Sequence, residues 1–180
     1  MAVYTKLNHN KIEEILSNYN LGKLNQFKGI EEGIENSNYF LLVEKKKFIL
    51  TVYEKRVKSE DLPFFSKLMS SLNKSNFKCP APIINKQNQT ITDFEGKKLM
   101  IVSFLEGKAK QNLSPQNCKS VGIEVANMHK ITSNFKPSNR YLELPNNAVF
   151  QGNTSRFSLS VRAVKVFNTN IVTMRSSSLV

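Results

Sequence analysis

The residues of this chain whose types and spacing could do chemistry lie in a glycine-bearing segment early in the sequence. Two glycines, Gly29 and Gly33, stand four residues apart in this segment. Glycine has no Cβ, so backbone N–H groups there can approach phosphate oxygens closely. Two glycines between strands are also common in ordinary turns and bulges, and spacing alone favours that plainer interpretation. The segment is therefore a candidate phosphate-binding loop whose role depends on the elements around it.

Strand-like runs rich in Phe, Leu, Ile, Val and Tyr flank this loop and would hold it in place. They cover residues 24–30, 36–43, 48–53, 90–94 and 98–104. Residues 45–47, all lysines, are predicted to form the turn between the second and third runs. A short strand-like piece at Ile83 and Ile84 precedes the fourth run. The pattern predicts an antiparallel sheet that begins as a β-meander.

Helical spacing of apolar side chains predicts three helices. The first covers residues 10–19. The second starts near Ser59, has Pro63 in its first turn and runs to Asn73. The third opens at Ser114 and Pro115, runs to residue 131 and carries a broad apolar face. Together with the strands, these helices predict an α+β fold.

Several of these segments resemble the amino-terminal lobe of the homoserine kinases that share the aminoglycoside phosphotransferase fold. The similarity lies in six sequence segments: GIEEGIENSNYFLL from Gly29, FILTVYEKR from Phe48, EDLPFFSKLM from Glu60, CPAPI from Cys79, IVSFLEG from Ile101 and VGIEVANMHK from Val121. The matching segments follow one another in unbroken order up to about residue 140. The resemblance implies a protein-kinase-like amino-terminal lobe, an antiparallel β-sheet plus one packed helix, joined to the start of an incomplete helical lobe.

The resemblance also implies an ATP site. The loop over residues 29–38 would lie over the phosphates, and the backbone of residues 103–105 would hold the adenine edge as the hinge between lobes. Thr51 stands where kinases usually place a lysine for the α and β phosphates. Lys55 and Arg56 are the nearest cations, and Glu60 is the nearest acidic partner on the following helix. The implied nucleotide-binding residues are Gly29, Gly33, Asn36, Ser37, Asn38, Thr51, Ser103, Phe104 and Leu105.

The residues that would carry the chemistry of such a kinase are missing from this sequence. Kinases of this fold place a His-Gly-Asp loop, an Asn and a metal-binding Asp in the carboxy-terminal lobe. Here neither His9 nor His129 is followed by Gly-Asp, and the last aspartate is Asp93. Phosphoryl transfer depends on positioning and on charge neutralisation by metal ions. The family uses ATP and Mg²⁺ to phosphorylate homoserine in threonine biosynthesis, but we expect no catalytic residue, no metal ligand and little turnover from this chain alone.

The domain organisation predicted from these observations has three parts. Residues 1–104 form the nucleotide-binding lobe, and residues 105–140 form the hinge and the first helix of the second lobe. Residues 141–180 are a divergent basic tail, predicted to be irregular. From residue 151 to residue 180 there is no Asp or Glu. We interpret this change of composition as the mark of a truncated or frameshifted reading frame.

Composition and charge narrow the other possibilities. The net charge of +12 invites a nucleic-acid hypothesis, but the lysines are dispersed and no nucleic-acid-binding motif is present, so we expect no specific nucleic-acid partner. No run of 18 apolar residues and no secretory signal occurs, which predicts no membrane span and a cytoplasmic location.

Two alternatives remain open from the sequence. The first is a non-catalytic nucleotide-binding or partner-binding remnant whose exposed apolar surface favours self-association. The second is a kinase of another small alcohol, such as choline or an aminoglycoside. The sequences of the matched segments fit this alternative less well.

Overall fold

Five antiparallel strands form one sheet, in the spatial order β1-β2-β3-β5-β4. The computed structural model describes residues 3–31, 35–54, 57–107, 112–133 and 135. The strands are β1 (Leu24–Ile30), β2 (Ser37–Val43), β3 (Lys46–Tyr53), β4 (Thr92–Phe94) and β5 (Lys97–Ser103). The helices are α1 (His9–Ser17), α2 (Leu62–Lys74), preceded by a 3₁₀ turn at Ser59–Asp61, and α3 (Pro115–Thr132). The α+β sheet with a packed helix is therefore confirmed.

Alternation of side chains along the strands divides the buried residues into two hydrophobic cores, one on each face of the sheet. The α1 face buries apolar side chains of α1 against Tyr39, Leu41, Leu50, Val52 and Ile101, among others. The α2 face buries Phe64, Leu68, Met69 and Leu72 of α2 against Ile49, Met100 and Val102. Because the period of a strand is two residues, each strand residue is committed to one of these faces.

The first helix starts earlier and ends earlier than predicted. It spans His9–Ser17 because the side chain of Asn8 accepts a hydrogen bond from the Lys11 N–H and caps its amino terminus. Tyr19, predicted as the last helical residue, lies beyond the helix. It is buried, and its hydroxyl shares a hydrogen bond of 2.8 Å with Thr92 at the far edge of the sheet.

The turn between β2 and β3 differs from the prediction over residues 45–47. Val43 pairs directly with Lys46, so Glu44 and Lys45 make the turn and the other two lysines belong to β3. Glu44 has a φ of 52°, in the left-handed region, and its carboxylate accepts the Lys23 N–H at 2.9 Å. A tight two-residue turn keeps the strands in register. A run of three lysines does not by itself indicate which two residues form the turn.

The short strand predicted at Ile83 and Ile84 is wrong. Only an isolated bridge between Pro82 and Val102 forms there, and the Ile83 N–H donates to the Ile101 carbonyl. Pairing with β5 stops there because the Asn85 side chain accepts hydrogen bonds from the N–H groups of Gln87 and Gln89. These bonds fold the chain into a turn. The strand that follows, β4, covers only the last three residues of the predicted run at 90–94.

The third helix starts as predicted, with a reciprocal capping box between Ser114 and Asn117. Its apolar face is less buried than expected. Met128 is the buried residue of this helix, whereas Val121 and Ile123 are 59% and 51% exposed. No helix in the described part of the chain is long and apolar enough to cross a membrane. The predicted tail at residues 141–180 lies outside the described residues.

Candidate nucleotide-binding cleft

A buried polar pair lies on the α2 face at the middle of the sheet. Asn38 in β2 pairs with Thr51 in β3, and the Thr51 hydroxyl donates to Asn38 Oδ1 at 2.8 Å. Both side chains are buried. Because Oδ1 is engaged with Thr51, the two N–H donors of the Asn38 amide are directed elsewhere. A neutral amide held in one orientation therefore stands next to the position where kinases usually place a lysine.

Apolar side chains continue this face toward the end of β5. Phe40 pairs with Ile49, which pairs in turn with Val102, so one row of residues crosses three strands. Phe104, just beyond β5, meets Phe40 edge to face with the ring centroids 5.5 Å apart. An apolar surface of this kind is suited to a flat aromatic ligand.

The predicted hinge is held from both of its sides. The Ser103 N–H donates to the Ala81 carbonyl and its hydroxyl accepts the Ala81 N–H, each at 2.9 Å. On the other side the Phe104 N–H donates to the Lys47 carbonyl at 3.1 Å. Within the part of the chain that the structure describes, the Leu105 N–H has no backbone partner. The predicted hinge thus has a backbone fixed by hydrogen bonds on both sides and, at Leu105, an N–H without a backbone partner among the described residues.

An open groove of about 500 Å³ lies between the start of β3 and the predicted hinge. It is lined by Lys45, Lys46, Lys47, Phe48, Ser103, Phe104 and Glu106. The Lys47 ammonium is 2.6 Å from the Glu106 carboxylate and 5.7 Å from the centroid of the Phe104 ring. These contacts tie the start of β3 to the hinge.

Two residues of the predicted set turn away from the α2 face. The Ser37 hydroxyl lies on the α1 face, where it accepts the N–H groups of Tyr4 and Thr5, each at 2.9 Å. Gly29 lies inside β1 opposite Tyr39, and a Cβ added to it would be 3.4 Å from the Val3 side chain on the same α1 face. Neither Ser37 nor Gly29 therefore offers its side-chain position to the α2 face, and their backbone groups are what remain for a ligand.

The remaining predicted residues differ in what the structure says of them. Asn36 is buried, and its Oδ1 accepts the Glu54 N–H at 3.3 Å. Gly33 lies outside the described residues, as do the candidate cations Lys55 and Arg56. Glu60 lies in the exposed 3₁₀ turn, and the sequence of α2 contains no acidic residue.

A carboxylate network on the α1 face was not predicted from the sequence. Glu54 Oε2 is 2.6 Å from the Lys97 ammonium, and Glu54 Oε1 accepts the hydroxyls of Thr5 and Ser37 at 2.5 and 2.7 Å. Burial raises the pKa of Glu54, but the hydrogen bonds from Lys97, Thr5 and Ser37 outweigh it and lower the pKa below its ordinary value. Glu54 and Lys97 are 43 residues apart, and no local pattern indicates their pairing.

The described residues do not fit a magnesium ion. They contain no group of three or more His, Cys, Asp or Glu side chains placed to hold a metal. Asp93, the last aspartate of the sequence, is engaged with Lys98 at 2.6 Å. On the α2 face, burial raises the pKa of Tyr53, so its hydroxyl stays neutral at physiological pH. The arrangement can hold a ligand by hydrogen bonds and apolar contacts.

The strand order and the helix α2 packed on one face of the sheet are those of the amino-terminal lobe of a kinase-like protein. A sequence profile of the phosphotransferase enzyme family matches residues 26–157. The chain belongs to this family.

Within this family, the chain is similar to proteins of one particular activity. Over 135 residues the chain is 42% identical to homoserine kinases of Brucella anthropi and Allorhizobium ampelinum, covering 75% of this chain. The match covers 41% and 42% of those relatives, so the chain spans about two fifths of their length. The similarity to homoserine kinases inferred from the sequence is confirmed.

Solved structures agree on the fold. An amicoumacin kinase in complex with AMP-PNP and Ca²⁺ aligns with a TM-score of 0.59 and 13% identity, over 74% of this chain and 42% of that one. A spectinomycin phosphotransferase in complex with ADP aligns with a TM-score of 0.58 and 15% identity, over 93% of this chain and 55% of that one. At these identities the likeness concerns the fold alone.

Proposed function

We propose that this chain is the ATP-binding part of an enzyme that transfers the γ-phosphoryl group of ATP to the hydroxyl of homoserine. The products are ADP and O-phosphohomoserine, and the reaction belongs to threonine biosynthesis in the cytoplasm. The observation that carries the proposal is the 42% identity to homoserine kinases, which falls on a lobe with the strand order β1-β2-β3-β5-β4. The substrate rests on those relatives.

The adenine would bind at the hinge. The Ser103 carbonyl and the Leu105 N–H are the acceptor and donor that would pair with the adenine edge, while the row of Phe40, Ile49 and Val102 would cover the base. Support comes from the bonds to Ala81 and Lys47, which fix the hinge before any ligand binds. A preorganised backbone loses less entropy on binding than a flexible one.

The phosphates would lie at the other end of the face, under the connection between β1 and β2. Backbone N–H groups of residues 29–38 and the Asn38 amide would donate to the phosphate oxygens. Thr51 cannot supply the positive charge that a lysine brings there. Its hydroxyl instead fixes the orientation of Asn38 at 2.8 Å. The negative charge of the triphosphate must then be balanced by Mg²⁺, whose ligands are not among the described residues.

We further propose that this chain binds ATP without turning it over. The sequence has no aspartate after Asp93, so it lacks the carboxylates that orient the acceptor hydroxyl and hold the metal ions in kinases. Positioning of ATP alone leaves the transfer step uncatalysed.

The second candidate function is a nucleotide-binding or partner-binding protein without enzymatic activity. It is favoured by the exposed apolar residues around α3, Leu113, Val121 and Ile123, which would promote self-association. A small alcohol other than homoserine is the alternative acceptor.

The experiment that tests the proposal combines binding with turnover. Purified chain is titrated with ATP by calorimetry and is assayed with MgATP and homoserine by following ADP. We expect saturable ATP binding and no ADP above the enzyme-free control. Rapid homoserine-dependent ADP formation would refute the claim of inactivity, and the absence of any ATP binding would refute the proposed function.

A further inference from the structure

We infer that residues 3–7, here called the amino-terminal strap, set the position of the phosphate-binding end of the sheet through Glu54, which is therefore a positioning residue for the nucleotide phosphates. The inference deepens the proposed function and rests on it. The strap lies on the α1 face, opposite the face that would carry ATP.

The strap is bound to β2 by a set of buried and half-buried hydrogen bonds. The Ser37 hydroxyl accepts the N–H groups of both Tyr4 and Thr5 at 2.9 Å. Two residues along β2, the Tyr39 hydroxyl accepts the Leu7 N–H at 2.9 Å and donates to the Thr5 carbonyl. Three backbone N–H groups and one carbonyl of the strap are thus satisfied by two side chains of a single strand.

Glu54 joins this strap to two more strands. Its Oε1 accepts the hydroxyls of Thr5 and Ser37, and its Oε2 binds the Lys97 ammonium at 2.6 Å. Lys97 also donates to the Thr5 hydroxyl. The Glu54 side chain is only 12% exposed, so these charge-assisted bonds are poorly screened by solvent. One carboxylate therefore connects the strap, the start of β2, the end of β3 and the start of β5.

These attachment points lie on strand residues that flank the predicted phosphate-binding segment. Ser37 is the first residue of β2, directly after the connection between β1 and β2, and Glu54 directly follows β3. Val3 of the strap packs toward Gly29 near the end of β1, 3.4 Å from where a Cβ would be. Asn38, the residue next to Ser37, carries the amide on the opposite face. Fixing Ser37 on one face therefore fixes Asn38 on the other.

The hinge is remote from these contacts. Lys97 and Ser103 are the first and last residues of β5. Six steps along a strand span about 20 Å, since each residue rises roughly 3.3 Å. Loss of the network should therefore weaken the hold on phosphates and leave the hold on adenine unchanged. A defect of general stability would weaken both.

The test compares ATP with adenosine, which has the same base and no phosphates. Calorimetric titrations with each ligand are made on the wild-type chain, Glu54→Gln and Thr5→Val. Thr5→Val leaves the Glu54 to Lys97 ion pair in place and so guards against a variant that fails to fold. The matched control is Lys11→Gln, which removes the exposed ion pair between Lys11 of α1 and Glu95 of the turn between β4 and β5. Circular dichroism verifies that each variant is folded.

We expect Glu54→Gln to weaken ATP binding about tenfold, a difference of about 1.4 kcal/mol, with the affinity for adenosine unchanged. Thr5→Val should show a smaller loss in the same direction, and Lys11→Gln should show none. An equal loss for ATP and adenosine, or no loss for either, would overturn the inference. Wild-type protein that binds adenosine as tightly as ATP would also overturn it while leaving the hinge intact. Wild-type protein that binds neither ligand would refute the proposed function itself.

Discussion

The hydroxyl of Thr51 donates to the side-chain oxygen of Asn38 across the β2 and β3 pair, at 2.8 Å and between two buried side chains. The sequence resemblance implied that Thr51 replaces a lysine, and the structure adds what the threonine does there. It holds a neutral amide in one orientation. Where kinases usually have a mobile lysine ammonium, this chain therefore has the Asn38 amide, a hydrogen-bond donor held in a fixed orientation.

Replacing Thr51 with valine should destabilise the protein by about 1–3 kcal/mol. The substitution keeps the shape of the side chain but leaves the buried Asn38 oxygen without its donor, and an unsatisfied buried acceptor has a cost of this order. The measurement is the free energy of unfolding in urea. Thr51→Ser keeps the hydroxyl and is the control, expected to lose less. Equal stability of Thr51→Val and the wild type would contradict the role given to this bond.

Protonation of Glu54 at acid pH should lower the free energy of unfolding of the protein. Its pKa is lower in the folded state than in the unfolded chain, so its contribution is fully present above the unfolded pKa and is lost as pH falls through the folded pKa. The hydroxyl of Tyr39 is a neighbouring titratable group, and it does not lose its proton in this acid range. The pKa of Tyr39 is raised by burial and, more weakly, by the charge of Glu54.

This acid dependence is checked by urea unfolding between pH 6 and pH 3 on the wild type and on Glu54→Gln. The wild type should lose more stability over this interval than the variant, because glutamine does not titrate. Parallel curves for the two proteins would show that Glu54 has the same pKa in both states.

Two glycines should respond differently to alanine. Gly22 has a φ of 104°, and a Cβ there would lie 2.6 Å from the Glu44 side chain, so Gly22→Ala should cost about 1–2 kcal/mol. Gly29 has ordinary strand geometry, and a Cβ would meet only van der Waals contacts at 3.4 Å and beyond. Gly29→Ala should stay within about 0.5 kcal/mol of the wild type. Thermal or urea unfolding distinguishes them, and a larger loss for Gly29→Ala would contradict the packing described.

The sequence predicted β1 to the residue and the start of α3, because a dense run of strand-forming side chains and a Ser-Pro cap are local signals. It did not predict which face each residue takes. The resemblance places Ser37 and Asn38 together in one phosphate-binding segment, yet successive strand residues point to opposite faces. The Glu54 to Lys97 pair depends on strand order, which local sequence does not encode.

Charge placed at two exposed apolar positions of α3 should reduce self-association of the chain. Val121 and Ile123 are both more than half exposed, and Val121→Lys with Ile123→Lys would remove that apolar surface. Sedimentation velocity over a range of concentrations should show a mass that rises for the wild type and stays monomeric for the double variant. Gln116→Lys, which adds charge on the same helix without removing apolar surface, is the control. Identical behaviour of all three proteins would exclude these two positions from association.

The most direct test of the central claim is calorimetric titration of ATP into the wild type, Leu105→Pro and Leu105→Ala. Proline removes the N–H that would bind the adenine edge, whereas alanine retains it. We predict saturable binding to the wild type and to Leu105→Ala, and a loss of about tenfold or more for Leu105→Pro, the cost of one unmade hydrogen bond at a buried edge. Unchanged ATP affinity in Leu105→Pro would contradict the hinge as the adenine site.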